Sequence, residues 1–318
     1  MNVSNGRAEG FKVPIFVLAP PRSFTSIFCG ALGVHPELFG VPELNLFQVA
    51  DMTEFLTGPE KMPAPARVVW RLRGKEGLLR TLAELYAGEQ TIRSVEMAER
   101  WIRVRRNRAV ADVYREVCRK VYPRRIVDKS PAYASRSRFL DHILTVFPDA
   151  LFIHLVRHPR GQCESVMKTR GFPVWALFQN AIDRSADPPQ IDPQILWHDM
   201  NVRILNFLER VPEQNWTRVQ GETFMSDTDG ELERICRWLG ISGSEEAMRS
   251  MRHPEHSPFA CFGPINAAYG NDPNFLRSPY LRPQRLEDQS LDGPVRWRQD
   301  GAGFHPRVVA LARSFGYD

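Results

Sequence analysis

The sequence predicts an α/β fold: a parallel sheet flanked by helices, followed by a long irregular C-terminal segment. Three observations carry this. Val13 to Leu18 is a short, continuous apolar run rich in β-branched residues, the pattern of a strand buried on both faces, and Leu151 to Val156 (LFIHLV) is the clearest strand candidate in the chain. Each runs directly into a turn containing proline, Pro20-Pro21 or His158-Pro159, and then into a helical pattern. Arg125 to Val127 repeats the rhythm more briefly, and Thr217 to Val219 is a fourth strand candidate. Strand, loop and helix in alternation suit a parallel sheet, whose strands need crossover helices.

Between these strands, Thr25 to Leu32 reads as a helix, and Asp51 to Arg73, with several prolines, as irregular. Gly77 to Tyr86 and Ser94 to Val121 read as helices. In the second, Val110, Val113, Tyr114, Val117 and Val121 recur at helical spacing, while Arg100, Arg103, Arg105, Arg106 and Arg108 crowd its first half. Such a charge run is ordinarily a solvated face; docking of an acidic protein is the alternative. Gly171 to Pro193 is poor in helix formers and reads as a surface excursion. Leu232, Ile235, Cys236 and Leu239 mark an amphipathic helix, capped by Asp227 or Thr228 and stopped by Gly240. From His253 to Arg298 the chain is rich in Pro, Gly, Asn and Arg. A segment this long suits a lid that closes over ligands.

The 318 residues, 43% hydrophobic and 25% charged, suffice for one domain spanning 1–318. A net charge of +5 fits an anionic ligand or partner and does not require nucleic acid. The five cysteines are scattered and never form C-x-x-C, against a disulfide framework or zinc knuckle. Met1 to Lys12 is polar and no apolar run is long enough to span a bilayer, so a cytoplasmic protein that does not engage a membrane is expected.

Two loops carry the chemistry. In Ala19-Pro20-Pro21-Arg22-Ser23-Phe24-Thr25-Ser26, a guanidinium and three hydroxyls gather at a helix N-terminus, where backbone N–H groups also favour a phosphate. The same hydroxyls serve equally as helix caps. The loop lacks G-x-x-x-x-G-K-[ST], against a magnesium nucleotide. After LFIHLV comes Arg157, with Ser165 eight residues later across a new helix start, a fork and a hydroxyl suited to a second, terminal phosphate.

Together these loops resemble the two nucleotide motifs of sulfotransferases that use 3′-phosphoadenosine 5′-phosphosulfate (PAPS): P-[KR]-[ST]-x-[ST] after the first strand, and R-x-P-x-x-x-x-x-S after a later one. The resemblance implies a P-loop-like sheet, PAPS as co-substrate, adenosine 3′,5′-bisphosphate as product and no metal. It places Arg22, Ser23, Phe24, Thr25 and Ser26 at the 5′-phosphosulfate and Arg157 and Ser165 at the 3′-phosphate. Phe24 stands where a glycine is common, which leaves the path of that loop open. Asp128-Lys129-Ser130-Pro131 resembles the [DE]-K-[ST]-P segment of family members that act on large acceptors, so Lys129 shares the developing charge with Arg22, unless it is a solvated turn lysine.

Transfer also needs a base for the acceptor proton. Glu43, 21 residues after Arg22 and flanked by apolar residues, matches the spacing of a catalytic glutamate in tyrosylprotein and heparan sulfotransferases. His253 and His256 compete for the role. The stretch His253-Pro254-Glu255-His256-Ser257-Pro258-Phe259-Ala260 and the later Gly270-Asn271-Asp272-Pro273-Asn274-Phe275-Leu276 resemble a bacterial subgroup that includes sulfotransferase domains of olefin-forming polyketide synthases. A zinc site on the two histidines lacks a third ligand at metal-like spacing. Glu222 is similar to a family acidic residue that follows a late strand, or braces a loop. Arg296, Trp297 and Arg298 resemble the family's basic C-terminal clamp over the 3′-phosphate and adenine, with an exposed basic turn as the alternative. The resemblance implies sulfuryl transfer to a hydroxyl on a small molecule or on a carrier-bound β-hydroxyacyl chain, with an acyl carrier protein as candidate partner and a place in secondary metabolism. A P-loop kinase and a non-catalytic nucleotide-binding scaffold are the competing classes.

Overall fold

The computed structural model describes residues 10–59, 62, 64–169, 171–282 and 289–318. Most of the N-terminal segment and residues 283–288 of the expected lid lie outside the described residues.

The strands are β1 (Ile15–Leu18), β2 (Leu38–Val41), β3 (Arg125–Asp128), β4 (Leu151–Val156), β5 (Ile182–Asp183), β6 (Gln190–Ile191) and β7 (Trp216–Gln220). Five of them form one parallel sheet in the order β2-β3-β1-β4-β7, while β5 and β6 pair antiparallel as a separate hairpin. The chain leaves β1 toward one edge and returns to its other side at β4. Ligand crevices in open α/β sheets lie at such reversals, outside the carboxyl ends of the strands. The loops after β1 and β4 are the two phosphate-loop candidates.

Helices cover both faces. They are α1 (Thr25–Gly33), α2 (Met52–Thr57), α3 (Ala64–Val69), α4 (Glu76–Ala87), α5 (Ile92–Val104), α6 (Val110–Val121), α7 (Ser137–Val146), α8 (Pro159–Met167), α9 (Phe172–Phe178), α10 (Pro193–Leu208), α11 (Gly221–Ser226), α12 (Thr228–Leu239), α13 (Glu245–Met251), α14 (Pro273–Arg277) and α15 (Pro306–Ser314). β1, β3 and β4 are buried throughout, and with the apolar residues this takes in Arg125 and Asp128 of β3 and His154 of β4. Phe16, at the centre of β1, packs among Phe47, Tyr114, Tyr133 and Phe152. The opposite face joins Ile15, Val17, Phe28, Phe224, Leu232 and Ile235. Among the described residues no helix is long and apolar enough to cross a membrane.

Four expectations change. Asp51 to Arg73 is not irregular: Asp51 caps α2 by accepting from the Glu54 N–H, and α3 continues into a π turn at Trp70–Gly74. Ser94 to Val121 breaks into α5 and α6, because Arg105 turns back to Glu116 (2.6 Å) and Arg108 joins the same carboxylate (2.6 Å). The excursion after Gly171 contains α9 and the β5-β6 hairpin. β2 was not anticipated; its LFGV sequence is interrupted by Gly40, whose missing side chain admits Gly33 of α1.

Candidate active site

The loop after β1 enters α1 through two left-handed residues, Arg22 (φ 68°) and Phe24 (φ 60°). For a phenylalanine this conformation costs about 1–3 kcal/mol and needs outside support. Support comes from three sides. The Gln162 side chain donates to the Pro21 carbonyl (2.7 Å), Arg157 donates to the Arg22 carbonyl (2.6 Å), and the Arg157 guanidinium lies 4.1 Å from the centre of the Phe24 ring. Phe24 therefore takes the backbone path that a glycine would allow, and its ring becomes one wall for Arg157.

Arg22 donates from Nε to the Ser165 hydroxyl (3.1 Å) and pairs through its guanidinium with Asp272, so the two phosphate loops are already joined. Burial lowers the Arg22 pKa, and it brings that of Arg157 down to about 10, which leaves Arg157 cationic at neutral pH. Arg22, Phe24, Thr25, Ser26, Arg157 and Ser165 line one cavity of about 460 Å³. Its far wall is Asp272, Asn274, Phe275, Ser278, Tyr280 and Arg282, supplied by the long C-terminal segment. Within the loops, the Ser23 hydroxyl and the Arg157 Nε are buried with no partner among the described residues; Arg157 lines the cavity, whereas Ser23, expected at the 5′-phosphosulfate, does not. An unsatisfied buried donor is costly, and a polyanion in the cavity would give Arg157 a partner. The donor set thus fits a nucleotide with two separated phosphates.

Next to Ser26, the buried Lys129 ammonium donates to the Ser26 hydroxyl (2.9 Å) and to Oε1 of Glu43 (2.7 Å). Lys129 is not a solvated turn residue: it is 1% exposed. The residues on either side of it explain this. Asp128 is fully buried and accepts from Ser130 (3.0 Å), Tyr114 (3.2 Å) and Tyr133 (3.2 Å). Burial pushes the Asp128 pKa up to about 7. The Ser130 hydroxyl also accepts the Asn45 N–H (3.2 Å), which ties the strand end to the Glu43 turn. Glu43 itself is held by its N–H to the Gly270 carbonyl (2.8 Å), and its close neighbour is an ammonium, not the apolar setting its sequence suggested.

Other candidates are placed elsewhere. His253 is half-exposed, 3.0 Å from Glu255, and stacks on His256; neither histidine lines the cavity. Their turn does bring Glu255 in as a third group, with ligand atoms of the three within 4.8 Å of one another. Glu222 braces the second loop, accepting the His158 N–H (2.9 Å) and the Tyr317 hydroxyl (2.7 Å). Trp297 donates to Asp192 (2.9 Å), and Arg298 is engaged by Asp183 (2.6 Å), Asp192 (2.8 Å) and Asp300 (2.5 Å). These contacts bolt the C-terminal segment to the start of α10, and neither residue lines the cavity. Arg296 is exposed, 3.8 Å from Glu164. Asp272 is a site residue to which the sequence alone assigns no role. Its signal was the Asp-Pro-Asn turn, in which its carboxylate caps α14 through the Asn274 N–H (2.7 Å).

A family model described as the sulfotransferase family matches residues 14–245. Among solved structures, the sulfotransferase domain from the Synechococcus PCC 7002 olefin synthase is 26% identical, with 96% of this chain and 94% of that chain covered and a TM-score of 0.69. The sulfotransferase domain from the curacin biosynthetic pathway is 22% identical over 96% of this chain and 98% of that one, with a TM-score of 0.74. No curated protein matches.

Proposed function

The chain belongs to the sulfotransferase family, and from that premise we propose that it moves the sulfuryl group of PAPS to an acceptor hydroxyl, with Glu43 as base. The observation that carries this reading is the meeting of Arg22, Ser26, Arg157 and Ser165 around one cavity, with the Lys129–Glu43 pair bonded to Ser26. A scaffold that only binds nucleotide has no use for that pair. A P-loop kinase would need the lysine and glycines that the first loop lacks.

Arg22, Ser23, Thr25 and Ser26 hold the 5′-phosphosulfate, and Arg157 and Ser165 hold the 3′-phosphate. Bound PAPS supplies an electrophilic sulfur and a phosphate leaving group. Lys129 and Arg22 lower the charge that builds on the oxygens around the transferred group, the usual largest contribution in such reactions. Glu43 takes the acceptor proton on the oxygen that Lys129 does not engage, and Lys129 keeps the carboxylate in place. Neither Glu43 nor His253 lines the cavity itself; Glu43 is favoured because Lys129 joins it to Ser26, which does, whereas His253 pairs with Glu255.

For the acceptor, likeness to the olefin synthase domain favours a β-hydroxyacyl chain borne by an acyl carrier protein. The segment from His253 to Arg298 acts as a lid. Its middle lines the nucleotide cavity, while Arg160 anchors its far part by donating to the Ser290, Asp292 and Pro294 carbonyls (2.9, 2.8 and 3.0 Å). Proteolysis of that segment should slow when nucleotide is present.

The test is calorimetric titration with adenosine 3′,5′-bisphosphate, adenosine 5′-monophosphate and ATP, on wild type and Arg157→Ala. Tight binding of the bisphosphate alone, lost in the variant, is the expected result. Equal binding of all three would overturn PAPS as the donor.

A further inference from the structure

One face of α4 carries a carboxyl and a guanidinium into the interior. Glu76 and Arg80 are four residues apart and project side by side; Arg80 is fully buried and Glu76 nearly so. Both reach one residue of the C-terminal segment. Glu76 accepts the Tyr269 N–H (3.1 Å), and Arg80 donates to the Tyr269 carbonyl (2.7 Å). The Arg73 guanidinium lies 4.2 Å from the centre of the Tyr269 ring. Arg80 is aimed by Gln90, whose side-chain oxygen accepts from Arg80 Nε (2.6 Å) and whose amide donates to the Pro258 carbonyl (2.7 Å).

Stability alone does not account for this arrangement. Burial lowers the Arg80 pKa and raises that of Glu76, so both charges are held at a cost. Apolar residues of similar volume often fill such a site at least as well. What the pair does fix is the path of the chain beside the proposed base. The Gly270 carbonyl, next after Tyr269, accepts the Glu43 N–H (2.8 Å). A Cβ at Gly270 would fall 2.9 Å from the Gly77 backbone, and one at Gly77 would fall 2.1 Å from the Glu43 carbonyl oxygen. Two glycines thus let α4, the Gly270 turn and the Glu43 backbone stack without slack, while the Glu43 carboxylate meets Lys129.

We propose that Arg80, braced by Glu76 and Gln90, is a positioning residue for Glu43: by holding the Tyr269 carbonyl it sets the Gly270 carbonyl, and so keeps the Glu43 carboxylate on Lys129. The proposal rests on Glu43 as base, put forward above. Displacing a reacting group by about 1 Å costs about 10²-fold in rate, and the hydrogen bond from Glu43 to Gly270 passes on any shift of the turn. Asp272, two residues further, keeps its own anchor as the cap of α14, so the nucleotide site is little disturbed.

The experiment uses the full chain with Arg80→Met, Arg80→Lys or the milder Gln90→Ala, each alone and with Glu43→Gln. Turnover is followed with PAPS and the pantetheine thioester of a 3-hydroxyacyl group, nucleotide binding with adenosine 3′,5′-bisphosphate, and hydrogen exchange at the Glu43 amide by mass spectrometry. Arg80→Met should lower kcat about 30-fold with KM for PAPS unchanged, and Gln90→Ala about threefold. Arg80→Lys should recover most of the loss, since an ammonium can still donate to the Tyr269 carbonyl. In the Glu43→Gln background none of the three should cost more, because the group they position is gone. Unchanged bisphosphate binding shows that the variants are folded; if Arg80→Met loses it, Gln90→Ala carries the comparison.

Equal losses in both backgrounds, or no loss in any variant, would overturn the positioning role and leave Glu43 as base. Glu43→Gln turning over like wild type would instead remove Glu43 as base, and this role with it. If wild type leaves the thioester untouched, exchange decides: faster exchange at Glu43 in Arg80→Met, reversed in Arg80→Lys, supports the proposal, and unchanged exchange overturns it.

Discussion

The carboxylate of Asp272 is the partner of the Arg22 guanidinium, so a side chain from the C-terminal segment lies against the cation assigned to the sulfuryl end of the nucleotide. Its other oxygen caps α14. Asp272→Asn keeps that cap and removes a negative charge from the cavity wall. Adenosine 3′,5′-bisphosphate should therefore bind more tightly, by about fivefold, for roughly 1 kcal/mol of relieved repulsion. Calorimetry on the two proteins checks this, and weaker binding would mean that Asp272 orients Arg22 rather than competing for it.

Lys129 and Glu43 form one unit with Ser26. Lys129→Ala should lower kcat by about 10²–10³, and Glu43→Gln by about 10²–10⁴. The double variant should lose little beyond the worse single one, since residues acting together are not additive. Single-turnover rates with PAPS in excess give the comparison. Losses that multiply would separate the two roles.

Gly221 makes room for Phe24. A Cβ at 221 would lie 2.6 Å from Phe24 Cδ2 and 3.3 Å from the Val156 carbonyl. Gly221→Ala should displace the ring that flanks Arg157 and weaken bisphosphate binding about tenfold, as overpacking of 1–3 kcal/mol implies. Adding Phe24→Gly should recover most of that loss, because glycine adopts the left-handed backbone at 24 without a ring to clash. If the second change restores nothing, the Val156 contact is the one that matters.

Asp128 links pH to stability. Its folded pKa of about 7 lies above the unfolded value of about 3.9. The folded protein therefore holds a proton that the unfolded chain releases, and this stabilisation is full below about pH 4 and is lost as pH rises through about 7. Asp128→Asn removes the proton linkage while keeping an acceptor for Ser130, Tyr114 and Tyr133. Urea unfolding from pH 4.5 to 7.5 should show the stability of wild type relative to the variant falling with pH. A constant difference would mean that Asp128 stays ionised, held by its three donors.

What the sequence determined by itself is local. LFIHLV and the run at Val13 had to be buried strands, and chain connectivity alone then set Arg22 and Ser23 before one helix and Arg157 before another. Residues a few positions apart along a strand, turn and helix have little freedom to be elsewhere. The tertiary structure decided which distant groups meet. Lys129 and Glu43 are 86 positions apart and pair only because β2 and β3 lie side by side in register, Val41 opposite Asp128. Arg298 carried the same charge as a nucleotide clamp would, yet Asp183 and Asp192 from distant parts of the chain, with Asp300 two residues on, claim it. His253 has the chemistry of a base, and its turn pairs it with Glu255 and stacks it on His256. Charge and residue type are local properties; the partner of a side chain depends on strand order and register, which arise only when the whole core packs.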